Sequence, residues 1–181
     1  MIEEKGKKAK KRVTEKISKT ALFLAAALIV SLIENALPPL IPVLPYAKLG
    51  LSNAVLLVCL LTVGAVESII ALIVKCLLMS VFSGNFTSLL WSFPAGLCAY
   101  AVMLLLLKLK IFSITGISSA GGIIHNAVQI IISVFLVGKS VLLYLPFMML
   151  TGGIAGIVTG LICHYTVLYI KNDRKPKNRE V

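Results

Sequence analysis

Polar and ionisable side chains are rare in the apolar part of this sequence, and several lie near the ends of its hydrophobic runs. The candidates for contacting a small ligand are Glu34, Lys48, Asn53, Lys75, Asn85, Trp91, His125, Asn126, Gln129 and Tyr144. His125 and Gln129 are four residues apart and Asn126 and Gln129 three apart, spacings that place side chains on one helix face. These residues predict a polar pocket, with interhelical hydrogen bonding as the alternative role for the amides and the imidazole.

Lys75 is the residue that most needs an explanation, because an ionisable group at membrane depth requires a partner or a cavity. Glu67 is on the same stripe of the predicted helix but about 12 Å away along its axis, too far for an ion pair. Two alternatives remain: Lys75 pairs with Glu34 from another helix, or it binds an anionic group of a ligand. For Glu67 itself, an interfacial acid is the favoured interpretation.

Motifs for catalysis, metal binding and redox chemistry are missing from the sequence. There is no P-loop, no HExxH, no aspartate-rich pair for magnesium–diphosphate chemistry and no nucleophile–base spacing. The four cysteines stand alone in apolar runs, which indicates packing residues. We therefore expect neither an enzyme nor a cofactor or metal.

The composition defines the class of protein in which these residues must be positioned. Of 181 residues, 59% are hydrophobic and only 14% charged, and the mean hydropathy is +0.99. A soluble chain of this length could not bury so much apolar surface. The sequence predicts an all-α, polytopic membrane protein and excludes a soluble enzyme domain.

The positive charge is concentrated at the two ends of the chain. Residues 1–20 hold eight Lys and Arg and residues 171–181 hold five, of eighteen in total. By the positive-inside rule both ends are predicted to be cytoplasmic, next to membrane lipid. Neither end interleaves aromatic residues as nucleic-acid binders do, so no nucleic-acid partner is expected. The first apolar run lacks a small-residue cleavage site and is interpreted as a retained span.

The breaks between apolar runs predict six membrane spans, at about 20–37, 49–63, 65–82, 88–107, 114–136 and 142–170. The predicted organisation is a basic cytoplasmic tail (1–19), a six-helix transmembrane domain (20–170) and a second basic tail (171–181). Lys108 and Lys110 then join the cytoplasmic side, which places fifteen of the eighteen basic residues there. A tight turn around Gly64 is predicted to divide residues 49–82 into two short helices. Four prolines between residues 38 and 45 predict an extended outer connection.

Two stripes of small residues are predicted to be contact surfaces between helices. Gly152, Gly156 and Gly160 recur every four residues in the last span, a pattern typical of close helix packing. Ala21 and Ala25 have the same spacing in the first span.

Several of these elements together resemble the Gx transporter family, also catalogued as heptaprenyl diphosphate synthase component I. They are Glu34 to Pro38, Lys48 to Asn53, Glu67, Lys75, Gly84 to Phe86, and Gly122 through His125 and Asn126 to Gln129. The resemblance covers residues 20–165, with Lys75 where the family usually has Arg. It implies a six-helix substrate-binding S component of an energy-coupling factor importer. In such proteins an AxxxA stripe, here Ala21 and Ala25, contacts a transmembrane coupling subunit driven by two ATPases.

The leading hypothesis is therefore a substrate-capture subunit in a prokaryotic plasma membrane, which binds a small organic micronutrient or precursor from outside. The rival hypothesis is a non-catalytic membrane subunit associated with polyprenyl diphosphate or quinone synthesis. A stand-alone secondary transporter is disfavoured by the small size and the lack of an internal repeat.

Overall fold

A computed structural model describes residues 2–37 and 50–173, and these residues are almost entirely helical. The helices are α1 (Ile2–Ala36), α2 (Ser52–Thr62), α3 (Ala65–Phe82), α4 (Thr87–Leu109), α5 (Ile114–Leu136) and α6 (Leu145–Asp173). A 3-10 helix (Lys139–Tyr144) leads directly into α6. The all-α class predicted from the sequence is confirmed.

Five helical segments in the described residues are long and apolar enough to cross a membrane. They are Lys10–Ala36, Ala65–Phe82, Thr87–Leu109, Ile114–Leu136 and Lys139–Ile170. The remaining helix, α2, has 11 residues and is shorter than the predicted span 49–63, so the count of six crossings stays a prediction. The chain is thus a multi-pass membrane protein.

Helix α1 extends well beyond its apolar part. It runs for 35 residues without a break, which corresponds to about 52 Å at 1.5 Å per residue. The predicted boundary between a basic tail and the first span, at residues 19 and 20, therefore lies within one helix. Lysine and arginine are good helix formers, so the basic sequence continues the helix that the apolar sequence forms.

The short helix α2 lies in the centre of the bundle, where it contacts α1, α3, α5 and α6. Its Leu56, Leu57 and Cys59 side chains are almost fully buried. At about 16 Å it could not span a bilayer core by itself; its first residues, Ser52 and Asn53, are buried, whereas Leu61 and Thr62 at its end are half-buried. The predicted break after α2 is present: α3 begins just after Gly64, whose φ of +148° favours glycine.

Helices α5 and α6 pack with their backbones in direct contact. A methyl group added at Gly152 would lie 2.5 Å from the Gly122 carbonyl oxygen. One added at Gly156 would lie 2.5 Å from the Ser119 Cα, and one at Gly160 would lie 2.7 Å from the Thr115 Cα. The glycine stripe of α6 therefore faces α5, where any larger residue would separate the two helices.

Candidate functional site

A small buried cavity lies at the end of the bundle where α1 ends and α2 and α4 begin. It has a volume of about 30 Å³, enough for one or two water molecules and far below the size of a typical ligand pocket. It is lined by Ser31, Glu34, Gly50, Ser52, Lys75, Cys76, Met79, Ser88, Leu89, Ser92 and His125. Three of the predicted ligand-contacting residues, Glu34, Lys75 and His125, therefore share one cavity.

The turn that precedes α2 positions the Glu34 carboxylate. The Gly50 amide donates a hydrogen bond to Glu34 Oε1 at 2.5 Å, and the Glu34 side chain is only 7% exposed. Gly50 has a φ of +77°, a conformation that side chains with a Cβ rarely adopt. An added Cβ would also lie 3.1 Å from both Asn53 Nδ2 and His125 Cδ2. Glycine is thus required here for two separate reasons.

The Lys75 ammonium, carried by α3, points at the same turn. It donates a hydrogen bond to Ser52 Oγ at 2.7 Å, and the side chain is 8% exposed. Glu34 is one of the two partners that the sequence predicted for Lys75. It lines the same cavity, where its carboxylate accepts a hydrogen bond from the Gly50 amide. The buried Glu34 carboxylate and the buried Lys75 ammonium thus form hydrogen bonds at the start of α2, with residues that are two positions apart in the sequence.

His125 connects α5 to α2 through amide side chains. Asn53 Nδ2 lies 3.3 Å from Nδ1 of the ring, and Gln129 Nε2 lies 3.2 Å from Nε2 of the ring. A neutral imidazole has one donor and one acceptor nitrogen. If the ring is neutral, one amide presents its NH₂ group to it and the other its carbonyl oxygen. The predicted pairing of His125 and Gln129 on one helix face is present, and Asn53 joins them.

Trp91 and Asn126, also predicted as ligand contacts, form hydrogen bonds between helices. The Trp91 indole N–H donates to Ser133 Oγ on α5 at 2.7 Å. Asn126 Nδ2 donates to the Met148 carbonyl oxygen on α6 at 2.8 Å. Adjacent helical residues project about 100° apart, so Asn126 faces α6 while His125 faces the cavity. For these two residues the geometry favours interhelical hydrogen bonding.

The remaining predicted ligand contacts lie away from the cavity or outside the described residues. The Asn85 side-chain oxygen accepts from the Thr87 amide at 2.9 Å at the start of α4. Tyr144 is 37% exposed at the end of the 3-10 helix. Lys48 lies in the segment 38–49, outside the residues that the structure describes.

At the opposite end of α3, Glu67 forms an ion pair with α1. Lys16 Nζ lies 2.6 Å from Glu67 Oε1, and the two side chains are 55% and 21% exposed. The position of Glu67 in the first turn of α3 also places its negative charge near the helix N-terminus, which is favourable. Ala21 and Ala25, the predicted partner-binding stripe, are exposed on α1.

Sequence reasoning missed the small residues of the cavity wall: Ser31, Gly50, Ser52, Ser88 and Ser92. Serine is common in membrane helices as a packing residue, so its type alone gave no signal, although Gly50 and Ser52 lie between the predicted Lys48 and Asn53. Among residues 2–37 and 50–173, no group of three His, Cys, Asp or Glu side chains could hold a metal ion. The arrangement is suited to binding charged and hydroxyl groups.

Fold and site together define a multi-pass α-helical membrane protein with a small cavity at one end of its bundle, lined by charged and polar side chains. Residues 23–166 match the family described as heptaprenyl diphosphate synthase component I, to which the chain belongs. This is the family that the motifs from Glu34 to Gln129 predicted. No curated protein and no solved structure matches the chain.

Proposed function

We propose that this protein is the substrate-binding S component of an energy-coupling factor importer, located in a prokaryotic plasma membrane. The observation that carries the proposal is the small cavity lined by Glu34, Lys75 and His125. Buried charges are costly in a membrane protein. Their concentration around one cavity is expected of a binding site, whereas packing alone would need no such cluster.

The proposed orientation places the cavity near the outer surface. The Lys- and Arg-rich ends of the chain favour cytoplasmic termini, with α2 completing six passages through the membrane. The end of α1 at Ala36 and the start of α2 at Ser52 then lie on the outer side. A ligand would enter from outside and be released after the importer changes conformation.

The proposed partners are the transmembrane coupling subunit and its two ATPases. Ala21 and Ala25 are small and exposed on α1, so another helix could approach closely there. The sequence contains no ATP-binding motif, so active import would draw its energy from such a partner or from an ion gradient.

Affinity purification of the tagged protein from its own membranes tests the proposal. We expect the coupling subunit and both ATPases to be recovered, and the double variant Ala21→Leu, Ala25→Leu to lose them. The matched control is Leu22→Ala, which alters an exposed α1 residue next to the stripe. Recovery of no ATPase, or equal recovery with the double variant, would contradict the proposal.

A second candidate function is supported by the family's name: a membrane subunit associated with polyprenyl diphosphate synthesis. Between residues 20 and 170 the only acidic residues are Glu34 and Glu67, too few for the acidic clusters that bind metal–diphosphate. This role would therefore be non-catalytic, with a soluble synthase bound to the basic ends. Removal of residues 1–15 and 172–181 separates the two functions: loss of synthase activity supports this candidate, and intact solute binding supports import.

A further inference from the structure

A groove with apolar walls runs between α1 and the start of α3, at the end of the bundle opposite to the cavity. Its volume is about 490 Å³. The walls are formed by Val13, Ile17, Ala21 and Leu24 of α1 and by Ile70 of α3. The side chains of Val13, Ile17 and Ile70 are each more than half exposed. The part of the chain that the structure describes thus leaves these walls open.

The length of α1 explains why the groove is open. The apolar α1 residues of the groove recur every three or four positions, so they share one helix face. Helix α3 covers this face only from its own first turn, where Glu67 pairs with Lys16. Residues 2–15 of α1 continue for about 21 Å beyond that level. The apolar face therefore runs past the helix that packs against it.

Positive charge lies at the end of the groove where α1 projects beyond α3. Lys10 is one turn before Val13, and Arg12 is one turn before Lys16, which also lines the groove. The ion pairs described at this end use Lys16 and Lys19. Within residues 2–37 and 50–173, the exposed Lys10 and Arg12 side chains have no acidic partner.

This combination fits one component of the surrounding bilayer. Residues 10–36 form a segment that is long and apolar enough to cross a membrane, so Lys10 and Arg12 lie at its boundary, at the level of the lipid headgroups. An anionic phospholipid joins a phosphate and an acyl chain in the order in which the groove offers cations and apolar walls. The planar guanidinium of Arg12 can bind two phosphate oxygens. A helix of another protein would cover the walls, but it would also need acidic residues at this level.

We infer that the groove between α1 and α3 is a binding site for an anionic phospholipid. The phosphate binds Arg12 and Lys10, and an acyl chain lies along Val13, Ile17 and Leu24. The inference does not depend on the proposed import function, because it concerns the opposite end of the bundle from the cavity.

Native mass spectrometry of the full-length protein in detergent tests the inference by titration with phosphatidylglycerol and phosphatidylcholine of equal chain length. We expect one phosphatidylglycerol to bind at least tenfold more tightly than phosphatidylcholine. Equal affinities for the two lipids would overturn the inference. Tight binding of glycerol 3-phosphate, which has no acyl chain, would indicate a plain anion site and would also overturn it.

Matched variants separate a defined site from a general attraction to basic residues. The double variant Lys10→Gln, Arg12→Gln should weaken phosphatidylglycerol binding about 25-fold, since each Lys or Arg near an anionic surface contributes about fivefold. The control Lys108→Gln, Lys110→Gln removes two other exposed charges outside the groove and should leave the affinity unchanged. Equal losses in the two double variants would show diffuse attraction and refute the site.

The apolar wall is tested in the same way. Ile17→Asn should weaken phosphatidylglycerol binding severalfold, whereas Ile111→Asn, at an equally exposed position between α4 and α5, should not. Both side chains are exposed, so neither change removes core packing. An unchanged affinity of Ile17→Asn would show that no acyl chain lies in the groove.

Photocrosslinking in native membranes identifies what covers the groove there. A benzophenone side chain at position 17 should form adducts with anionic phospholipids more often than one at position 111. A protein adduct at position 17 would show that a partner helix covers the groove and would overturn the inference.

Discussion

Replacement of Gly152 by alanine is expected to destabilise the protein by disrupting the contact between α5 and α6. The new methyl group would lie 2.5 Å from the Gly122 carbonyl oxygen and 2.7 Å from Asn126 Nδ2. Ordinary contacts begin near 3.4 Å, so the helices must separate by about 0.9 Å at this point. Both neighbours belong to the interface itself, and the Gly122 oxygen cannot rotate away because it is backbone.

The size of the effect follows from three contributions. Overpacking costs about 1–3 kcal/mol, and a weakened hydrogen bond from Asn126 to Met148 costs about 1 kcal/mol. The higher helix propensity of alanine relative to glycine stabilises the folded protein by about 1 kcal/mol. The net loss is about 1–3 kcal/mol, which corresponds to a decrease of roughly 2–12 °C in the unfolding temperature for a chain of this size.

The neighbouring Gly153 provides the control. A methyl group there would lie 3.3 Å from Ile123 Cγ1, part of a side chain that can rotate. Gly153→Ala should therefore leave the unfolding temperature unchanged or raise it. Both variants can be followed in detergent by the fluorescence of Trp91, the single tryptophan. Equal unfolding temperatures for the two variants would refute the packing argument.

Three smaller perturbations test other parts of the structure by the same thermal assay. Gly50→Ala should cost about 1 kcal/mol more than Gly84→Ala, because both have positive φ but only Gly50 has close neighbours; equal losses would contradict the crowding argument. Ser133→Ala removes one hydrogen bond of the buried Trp91 indole and should cost about 0.5–1.5 kcal/mol; an unchanged midpoint would disprove that hydrogen bond's role. Lys16→Gln breaks an ion pair that is partly solvent-exposed and should change stability by less than about 1 kcal/mol; a larger loss would show that this pair is structurally essential.

The bounds of most helices were predictable because apolar runs end at glycine, proline or charge. Predicted spans 65–82 and 114–136 coincide with α3 and α5. Helix α1 was one exception, since hydropathy detects an apolar span but not the basic sequence that continues the same helix. Helix α2 was another: it is shorter than the predicted span 49–63, because the apolar Leu51 precedes its first residue, Ser52.

The candidate site was predictable only where side-chain type and helical spacing agreed. His125 and Gln129 meet as their spacing predicts. The Asn126 side chain does not join them, because it donates a hydrogen bond to the Met148 carbonyl oxygen of α6. That Glu34 and Lys75 line one cavity depends on how α1 and α3 pack around the start of α2, and no local pattern encodes that arrangement.

The backbone contact between α5 and α6 also has a mechanical consequence for the cavity. Because their backbones touch at the α6 glycines and side-chain hydrogen bonds cross the same interface, α5 and α6 should resist sliding and move as one unit. His125 is carried by this unit, whereas Glu34, Gly50 and Lys75 are carried by α1, the turn before α2, and α3. We therefore expect a ligand to enter through a movement of α1, α2 and α3 relative to α5 and α6.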